Sequence, residues 1–425
     1  MTSSTASRSA ASQFRWVICG LLFLATVIAY VDRGVLAYLE KTLEGIVGFT
    51  PKEYSRMTAA FQASYAIGLL FAGRLTDRLG TRKGFAYAIV LWSFAAMLPG
   101  AAYSALTFGI AMFLLGMGEA ANFPACIKTV AEWFPKRERA LATGIFNSGA
   151  GTGAIVVPFV VPFLADRLGW RGAFVVCGAT GFLWLFFWLW LYGKPEAHRS
   201  VSAQELALIQ SDPGESVAPV PWARLFPLRE TWAFAVAKMA SDPIWWFYLF
   251  WMPRYLQETF HLNISQNRAP VMAAYALSMI GSVWGGWLSS IMLKTGKSLN
   301  VARKSALLIC ALLVLPVLYA PYAKNLWLVV GLVGLAMAAH QGWSANLFTL
   351  TSDMFPRSAV GSVVGIGGMA GSIAGVVFQL AVGYIVAQTN SYLPIFIVCG
   401  LAYIVALGCV QALSPKLAPA NLETR

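Results

Sequence analysis

The chain has 425 residues, of which 58% are hydrophobic and only 12% are charged, and its formal net charge is +13. A soluble domain carries about 25% charged residues, so this composition excludes an ordinary soluble enzyme. The mean hydropathy is +0.65, and apolar runs of about 20 residues, the length at which a helix crosses hydrocarbon, recur along the whole chain. The composition therefore predicts an all-α membrane protein.

Twelve apolar runs follow one another, and each predicts a transmembrane helix. Their cores are Trp16–Leu36, Met57–Leu75, Gly84–Ala102, Leu106–Ile127, Ala140–Leu164, Ala173–Tyr192, Trp232–Met252, Pro270–Met292, Ser305–Tyr322, Leu326–Leu350, Gly361–Val386 and Leu393–Leu413. The longest polar segment separates the sixth run from the seventh. The expected domains are an N-terminal six-helix bundle over residues 1–193, a cytoplasmic linker over 194–230 and a C-terminal six-helix bundle over 231–425.

Two long polar segments are predicted to lie outside the membrane. The linker contains the sequence SAQELALIQSD, in which Ser202 and Glu205 have the spacing of a helix capping box. On the opposite side of the membrane, the residues near Lys41–Arg56 are expected to form the largest loop.

Lysine and arginine residues are concentrated in the loops that share a side of the membrane with the N-terminus. This positive-inside pattern predicts a multi-pass protein of the inner (plasma) membrane with both termini in the cytoplasm. The excess positive charge is then expected to contact lipid headgroups rather than nucleic acid. The six cysteines lie in apolar runs without CxxC or CxxH spacing, which predicts no metal site and no cofactor. We expect a monomer.

A weak internal repeat relates the two halves of the chain. The segment from Glu119 to Gly153 has an echo 221 positions later, in which Phe134-Pro135 falls on Phe355-Pro356 and Glu119 falls on His340. Such repeats are typical of transporters built from two like halves, with the substrate bound between them near the middle of the membrane.

The loop between the second and third runs, from Gly73 to Lys83, fits the pattern G-x-x-x-D-R-x-G-x-[RK]-[RK], and it resembles the signature loop of the major facilitator superfamily. An aspartate there can pair with an arginine or a helix N-terminus and hold one side of the molecule shut. The predicted cytoplasmic gate consists of Gly73, Asp77, Arg78, Gly80 and Arg82. In the second half Ser290 stands where an acid would be expected, which predicts an asymmetric gate. An ordinary positively charged loop is the competing interpretation.

Five further segments resemble the anion–cation symporter family, and the last two resemble its hexuronate transporters: Tyr30–Arg33, Gly118–Pro124, Glu132–Pro135, Asp242–Leu256 and Ala339–Pro356. The resemblance covers nearly the whole chain. It implies the twelve-helix major facilitator fold and proton symport of a sugar-acid monoanion, such as glucuronate or galacturonate, by alternating access. Sibling transporters for aldonates such as galactonate, or for aldarates, share much of this framework and give the alternative substrates.

Ionisable residues inside apolar runs are the first site candidates, because each costs roughly 3 kcal/mol to insert. They are Asp32, Arg33, Glu119, Lys128, Lys238, Asp242 and His340. Asp32 and Arg33 point about 100° apart on a helix, so one can face a cavity while the other faces a neighbouring helix. Arg33 offers a planar fork of donors and is the predicted partner of the substrate carboxylate. The alternative is a structural ion pair with Glu119.

Proton coupling needs an acid that is neutral at one stage of transport and charged at another, and the resemblance assigns this role to Asp32 and Glu119. Substrate binding at Arg33 would free a neighbouring acid to take up a proton, so each event would favour the other. Related transporters carry an arginine seven residues before the glutamate, where this chain has Met112. Seven residues are two helical turns, so the missing charge faces Glu119, and we expect impaired transport.

Polar and aromatic residues complete the predicted substrate site. The resemblance assigns Tyr30, Tyr65, His340 and Trp343, and shared helix faces add Gln62, Asn147, Gln341 and Ser344. A core histidine is the alternative for His340. Lys238 and Asp242 have i, i+4 spacing and could pair with each other or contact substrate. Lys128 and Glu132, at the same spacing, are expected to pair.

Three other functions compete with symport. A uniporter or exchanger for the same anion would share the site without proton coupling. A membrane enzyme is disfavoured, because the sequence has no Walker loop and no HExxH motif, and of its three histidines only His340 lies in a predicted transmembrane helix. A non-transporting sensor on the same scaffold would explain the loss of a coupling residue at Met112.

Overall fold

The computed structural model describes residues 13–49, 51–211, 220–262, 268–389 and 391–421, and within these ranges it contains helices but no strands. The α-helices are α1 Phe14–Val47, α2 Pro51–Leu79, α3 Thr81–Met97, α4 Ala105–Glu119, α5 Asn122–Trp133, α6 Lys136–Leu191, α7 Ala203–Ile209, α8 Trp222–Leu225, α9 Arg229–Phe250, α10 Met252–Phe260, α11 Arg268–Lys294, α12 Leu299–Val314, α13 Leu326–Met354, α14 Arg357–Thr389 and α15 Leu393–Leu413. Short 3-10 helices occupy Leu98–Ala101, Pro195–Ala197 and Leu315–Tyr322.

These helices confirm the predicted all-α fold of twelve passes in two six-helix halves. Within the described residues, nine stretches are long and apolar enough to cross a membrane. One of them, α6, contains two passes, because Gly169 adopts a φ of 72° and interrupts the helix between the fifth and sixth predicted runs. Helices α2 and α9 supply two further passes, and both carry charged residues that lower their apolar character.

The segment near Lys41–Arg56, predicted as the largest outer loop, extends the two flanking helices. Helix α1 continues to Val47 and α2 begins at Pro51, so most of the segment is helical. Leu43, in the added turns of α1, is fully buried, and an apolar side chain that packs against the protein favours continuation of the helix. Pro51 is suited to the start of α2, where its missing N–H would have no helical partner.

The internal repeat has a structural counterpart at two equivalent helix ends. Helix α5 ends before Phe134 and α13 ends before Phe355, and both phenylalanines are extended, with φ and ψ of −125° and 137° and of −117° and 148°. A proline follows each of them, and a proline disfavours the helical conformation of the residue before it. Pro135 and Pro356 therefore stop one helix and precede the next in both halves.

The two halves meet most extensively along two pairs of helices, α2 with α14 and α6 with α11. In the first pair, a Cβ added to Gly73 would lie 2.1 Å from the carbonyl oxygen of Gly361, so only glycine allows this approach. In the second pair, the hydroxyl of Ser282 donates to the Gly144 carbonyl at 2.9 Å. Both contacts lie toward the end of the bundle where α1 begins and α15 ends, which we call the terminal end.

Hydrogen bonds between the halves close the terminal end. Arg139 Nη1 on α6 donates to the Ser352 carbonyl on α13. Arg303 Nη2 on α12 donates to the carbonyl of the first α6 residue at 2.8 Å. Ser290 contributes without an acid, because its hydroxyl accepts from the Leu141 amide at 3.3 Å. Both arginines are fully buried, so these bonds form in surroundings where they are strong.

The linker helix α7 is held against the first half. Ser202 caps it by accepting from the Glu205 amide at 3.2 Å, which is the N-cap half of the predicted capping box. The Glu205 carboxylate accepts from the Arg15 guanidinium on α1 at 3.0 Å. Arg15 also pairs with Glu138 on α6 at 2.9 Å, so one buried cation joins the linker helix to two helices of the first half.

The second linker helix, α8, also contacts the first half. The guanidinium of Arg74 on α2 lies 5.2 Å from the centre of the Trp222 ring, within the range of a cation–π interaction. Leu225 at the end of α8 is fully buried. Beyond it, the Phe226 carbonyl accepts from the Trp232 indole on α9 at 2.8 Å.

Replacing Gly73 with alanine is expected to force the terminal end apart, because the added methyl group would meet the main chain of Gly361, which no rotamer change can relieve. With spin labels at the exposed residues Leu79 and Lys294, pulsed electron paramagnetic resonance would show this as a longer distance between the two labels. Gly331→Ala is the matched control, because a Cβ there meets nothing within 4 Å. An unchanged distance distribution in Gly73→Ala would contradict the prediction.

Candidate functional site

A cavity of about 70 Å³ lies between the two halves. Its lining residues are Tyr30, Arg33, Tyr65, Leu69, Phe123 and Asn147 from the first half and Lys238, Asp242, Trp245, Trp246, His340, Gln341, Ser344, Phe348, Val364 and Gly368 from the second. One buried water needs roughly 10–15 Å³ of such space, so the cavity can hold about five. A larger solute would require its walls to move.

Arg33 on α1 brings a cation to the cavity wall. Its guanidinium carbon lies 4.8 Å, 5.1 Å and 4.9 Å from the ring centres of Tyr30, Phe61 and Tyr65. The faces of these rings stabilise the positive charge in an apolar setting. Arg33 Nε donates to Glu119 Oε2, whereas its buried Nη2 has no hydrogen-bond partner. The guanidinium therefore holds one acid and has one buried donor without a partner.

Glu119 is the last residue of α4 and is fully buried. The helix breaks there because Pro124 cannot donate to the Ala120 carbonyl and its ring would clash with it. Glu119 is outside the cavity lining and reaches the cavity only through Arg33. Its second carboxylate oxygen, Oε1, has no hydrogen-bond partner. A buried carboxylate with one charged partner and one free oxygen is suited to accept a proton.

Asp32 faces away from the cavity, as the angle between neighbouring residues of a helix predicts. Its Oδ2 accepts from the Trp92 indole on α3 at 2.6 Å, and its buried Oδ1 has no hydrogen-bond partner. Met112 on α4 is buried as well. The described part of the chain shows no ion pair for Asp32, which leaves it partnered only by an uncharged donor.

Lys238 and Asp242 on α9 form a second ion pair in the cavity wall, with Lys238 Nζ 2.8 Å from Asp242 Oδ2. The ammonium also lies 4.2 Å from the centre of the Phe348 ring on α13. The predicted i, i+4 pairing is thus observed, and it faces the cavity. Both alternatives considered for these residues, mutual pairing and access to a substrate, are compatible with this geometry.

The surroundings of His340 on α13 fit both of its interpretations, a core histidine and a residue of the substrate site. Its Nδ1 lies 2.6 Å from the Tyr403 hydroxyl on α15, and its ring stacks on Trp245 with centres 5.3 Å apart and planes 10° apart. It nevertheless lines the cavity. The bond and the stacking fix the ring, so His340 presents an oriented polar edge beside an indole face.

An amide pair joins the two halves at the cavity. Asn147 Nδ2 on α6 donates to Gln341 Oε1 on α13 at 2.6 Å and lies 3.2 Å from the Ser282 hydroxyl on α11. Ser344, one turn beyond Gln341, lines the same wall. Side chains of this kind can bond sugar hydroxyl groups, because an amide both donates and accepts.

Two residues assigned to the substrate site do not line the cavity. Trp343 is fully buried, and its ring packs against Tyr403 with centres 5.4 Å apart. Gln62, three residues before Tyr65, is half-buried and lies outside the lining. A shared helix face suggested Gln62 and the family resemblance suggested Trp343, but the cavity is lined by only a narrow part of each helix.

The gate motif contributes one direct bond between the halves. Asp77 Oδ2 accepts from the Ser362 amide in the second turn of α14 at 2.7 Å, one turn beyond the helix N-terminus that the motif predicts as its partner. Its Oδ1 pairs with Lys128 on α5 at 2.8 Å. The expected pair of Lys128 with Glu132 is therefore wrong, because each of these side chains has a partner on another helix. Lys128 pairs with Asp77, and Glu132 accepts from the Thr81 hydroxyl at 2.8 Å.

The other gate residues have separate positions. Gly80 turns the chain into α3 with a φ of 76°. Arg82 Nη2 donates to the Leu189 carbonyl at 2.6 Å, which is a contact within the first half. Arg78 is exposed at the end of α2. Only Gly73 and Asp77 of the predicted gate are thus seen in contact with the second half.

The sequence profile of the Major Facilitator Superfamily matches residues 22–379. The chain belongs to this superfamily. It is 30% identical over 394 residues to the hexuronate transporter of Escherichia coli (strain K12), with 90% of each chain covered. It is 31% identical over 411 residues to the probable galactarate/D-glucarate transporter of Bacillus subtilis (strain 168), covering 92% of this chain and 90% of that one.

A solved structure gives the same fold for this member of the Major Facilitator Superfamily. The proton:xylose symporter bound to 6-bromo-6-deoxy-D-glucose superimposes with a TM-score of 0.75 at 14% identity, covering 96% of this chain and 98% of that one. The relatives and structural neighbours are transporters, so this superfamily member is a membrane transporter and not an enzyme.

Sequence reasoning did not commit to several lining residues of this transporter. Lys238 and Asp242 were visible as charges in an apolar run, but their spacing offered a sufficient explanation without a cavity. Phe123 and Phe348 stack across the two halves with ring centres 5.4 Å apart. Phenylalanines are abundant in this chain, so no local signal distinguishes that pair.

Arg33→Met is expected to destabilise the transporter by about 3–5 kcal/mol, because it leaves the Glu119 carboxylate buried without its cation. The double variant Arg33→Met/Glu119→Gln should recover most of this loss. Thermal unfolding of the purified protein in detergent would measure both. Arg224→Met, at an exposed arginine, is the control for the substitution itself. Equal stability of the single and double variants would argue against an ion pair that is buried in the protein.

Proposed function

We propose that the protein is a secondary active transporter that imports a sugar-acid anion together with a proton. One observation carries the proposal: Arg33 lines the cavity, pairs with the buried Glu119 and keeps an unpartnered Nη2 donor. Relatives that span almost the whole chain transport, by their names, hexuronates or, in a probable assignment, galactarate and D-glucarate. Hexuronates, aldonates and aldarates all carry a carboxylate that this guanidinium could bind.

In the proposed cycle, the carboxylate and the proton bind together. A substrate carboxylate at the free edge of Arg33 competes with Glu119 for the same positive charge. Glu119 is then a buried anion with a weakened partner, a state that protonation relieves. Proton uptake at Glu119 in turn releases Arg33 for the substrate, so the coupling is reciprocal. Asp32 is the second proton-coupling candidate, and its only observed partner is Trp92.

The far side of the cavity would hold the rest of the substrate. Asn147, Gln341, Ser344 and His340 offer partners for hydroxyl groups, and the Trp245 indole offers an apolar face. Tyr30 and Tyr65 support the arginine through their rings and line the cavity beside it. No covalent step is required.

Transport would proceed by rocking of the bundle over residues 1–193 against the bundle over 231–425 about this cavity. In this proposal the protein lies in the inner membrane with both termini in the cytoplasm. The terminal end, which is closed here, then faces the cytoplasm. Release into the cell then requires separation of Asp77 from Ser362 and of Asn147 from Gln341. A monomer contains all of these elements.

Uptake into proteoliposomes tests the proposal with three labelled sugar acids: glucuronate, galactonate and galactarate. An acidic exterior should drive accumulation of at least one of them. Arg33→Gln should weaken uptake about tenfold or more, because a charged donor is lost. Glu119→Gln should retain counterflow but lose the stimulation by the pH gradient. Lys304→Gln is the control, because Lys304 on α12 bonds the Ser414 carbonyl just beyond α15 and does not line the cavity.

The outcomes separate the competing mechanisms. Counterflow without any response to a pH gradient in the unaltered protein would indicate a uniporter or exchanger. Binding without any transport would support the sensor interpretation. The proposed function fails if none of the three acids is bound or taken up.

Met112→Arg is expected to raise proton-driven uptake severalfold, because it returns a cation to the α4 face that carries Glu119. Met112→Gln is the matched control, since glutamine is polar and similar in length but brings no charge to the site. Initial uptake rates at a fixed pH gradient are the measurement. If the arginine variant transports no faster than the unaltered chain, Met112 does not limit coupling in this protein.

A further inference from the structure

Two cations from different halves border the same cavity. Arg33 belongs to α1 of the first half and Lys238 to α9 of the second, and both line the cavity. Lys238 is only 6% exposed. A buried ammonium is costly, and in a membrane helix it is a functional-site candidate. The proposed function uses Arg33 for the carboxylate and leaves Lys238 without a task.

The two cations have the same kind of surroundings. Each is paired with an acid of its own half, Glu119 for Arg33 and Asp242 for Lys238. Each also lies over aromatic rings, and Phe348 is the ring below Lys238. Two neutralised cations that face one space form two equivalent receptors for an anionic group, because an incoming anion can replace the resident acid at either of them.

A substrate with one negative charge uses only one receptor. With its carboxylate at Arg33, the other end of the molecule meets an intact Lys238–Asp242 pair, whose carboxylate repels electron-rich groups. A substrate with an acidic group at each end engages both cations. Its second carboxylate would take the ammonium of Lys238 from Asp242.

Hydroxyl binding is the rival explanation for the pair. Lysine and aspartate can together hold a sugar hydroxyl, as donor and acceptor. Neutral groups for that purpose already line the cavity at Asn147, Gln341 and Ser344. Burying an ion pair costs more than burying an amide with its partner, so hydroxyl recognition alone gives no reason for charged residues at this position.

We propose that Lys238 is a second anion-binding residue, and that the protein selects sugar acids with an acidic group at both ends, such as galactarate, over those with one. This inference rests on the proposed function and names the substrate class of the same site. Asp242 holds Lys238 in place when the cavity is empty. Helix α14 supports that position, because its Gly371 leaves room for the Asp242 carboxylate, where an added Cβ would lie 2.4 Å from Oδ2.

Equilibrium binding to the purified full chain tests the inference. Three probes of related shape would be titrated at neutral pH: galactarate with two carboxylates, galacturonate with one and galactose with none. We expect galactarate to bind about tenfold or more tightly than galacturonate, since the second carboxylate gains a charged hydrogen bond. Galactose should bind most weakly.

The double variant Lys238→Gln/Asp242→Asn removes both charges and keeps the polar shapes. It should lower the affinity for galactarate about tenfold and change the affinity for galacturonate less than about threefold. Lys304→Gln is the matched control for the loss of one lysine, because Lys304 bonds the Ser414 carbonyl at 2.7 Å, away from the cavity.

Each outcome has one meaning. If galacturonate binds the unaltered protein as tightly as galactarate, the inference is overturned while the proposed function stands. Equal losses for both acids in the double variant overturn the selective role of Lys238. If neither acid binds the unaltered chain, the inference is overturned, and uptake of labelled glucuronate and galactonate then decides whether the proposed function stands. Should the double variant not fold, the affinity ratio in the unaltered protein decides alone.

Discussion

The contact between a guanidinium and a carboxylate inside an apolar bundle is the interaction on which the rest of the structure depends. Neither Arg33 nor Glu119 could remain charged there alone, since an isolated buried ion is strongly unfavourable. Together they are neutral, and three aromatic rings cover the cation. A foreign carboxylate that binds this guanidinium therefore competes with a charge that is already present. In our proposal this competition is the physical origin of coupling.

The construction of the interface explains how the halves can pack closely and still separate. Most of the bonds described between them involve a main-chain group, such as the Ser352 carbonyl that Arg139 contacts and the Ser362 amide that Asp77 contacts. Water can replace a partner of that kind when the contact opens. Glycines at the crossing of α2 and α14 let the backbones touch without interlocking side chains. Close contact of this type holds one conformation without excluding another.

The sequence contained enough information for the fold, because apolar length determines each transmembrane pass and the Phe-Pro repeat marks equivalent helix ends. It also indicated the Arg33 region, since a charge in an apolar run always requires an explanation. It could not distinguish which side of a helix faces a narrow cavity. Trp343 and Gln62 have the same spacing relations as true lining residues, and only packing against other helices separates them. Lys128 was misassigned for the same reason, because its partner comes from another helix.

The segment between the halves is attached unequally. Arg15 fastens α7 to the first bundle, and Arg74 contacts Trp222 of α8 on the same bundle. Both linker helices that the structure describes thus contact the first half, and three residues, Phe226 to Leu228, separate α8 from α9. In the proposed rocking motion, this short joint would act as a pivot near the start of α9, and the far ends of the bundles would travel the greatest distance.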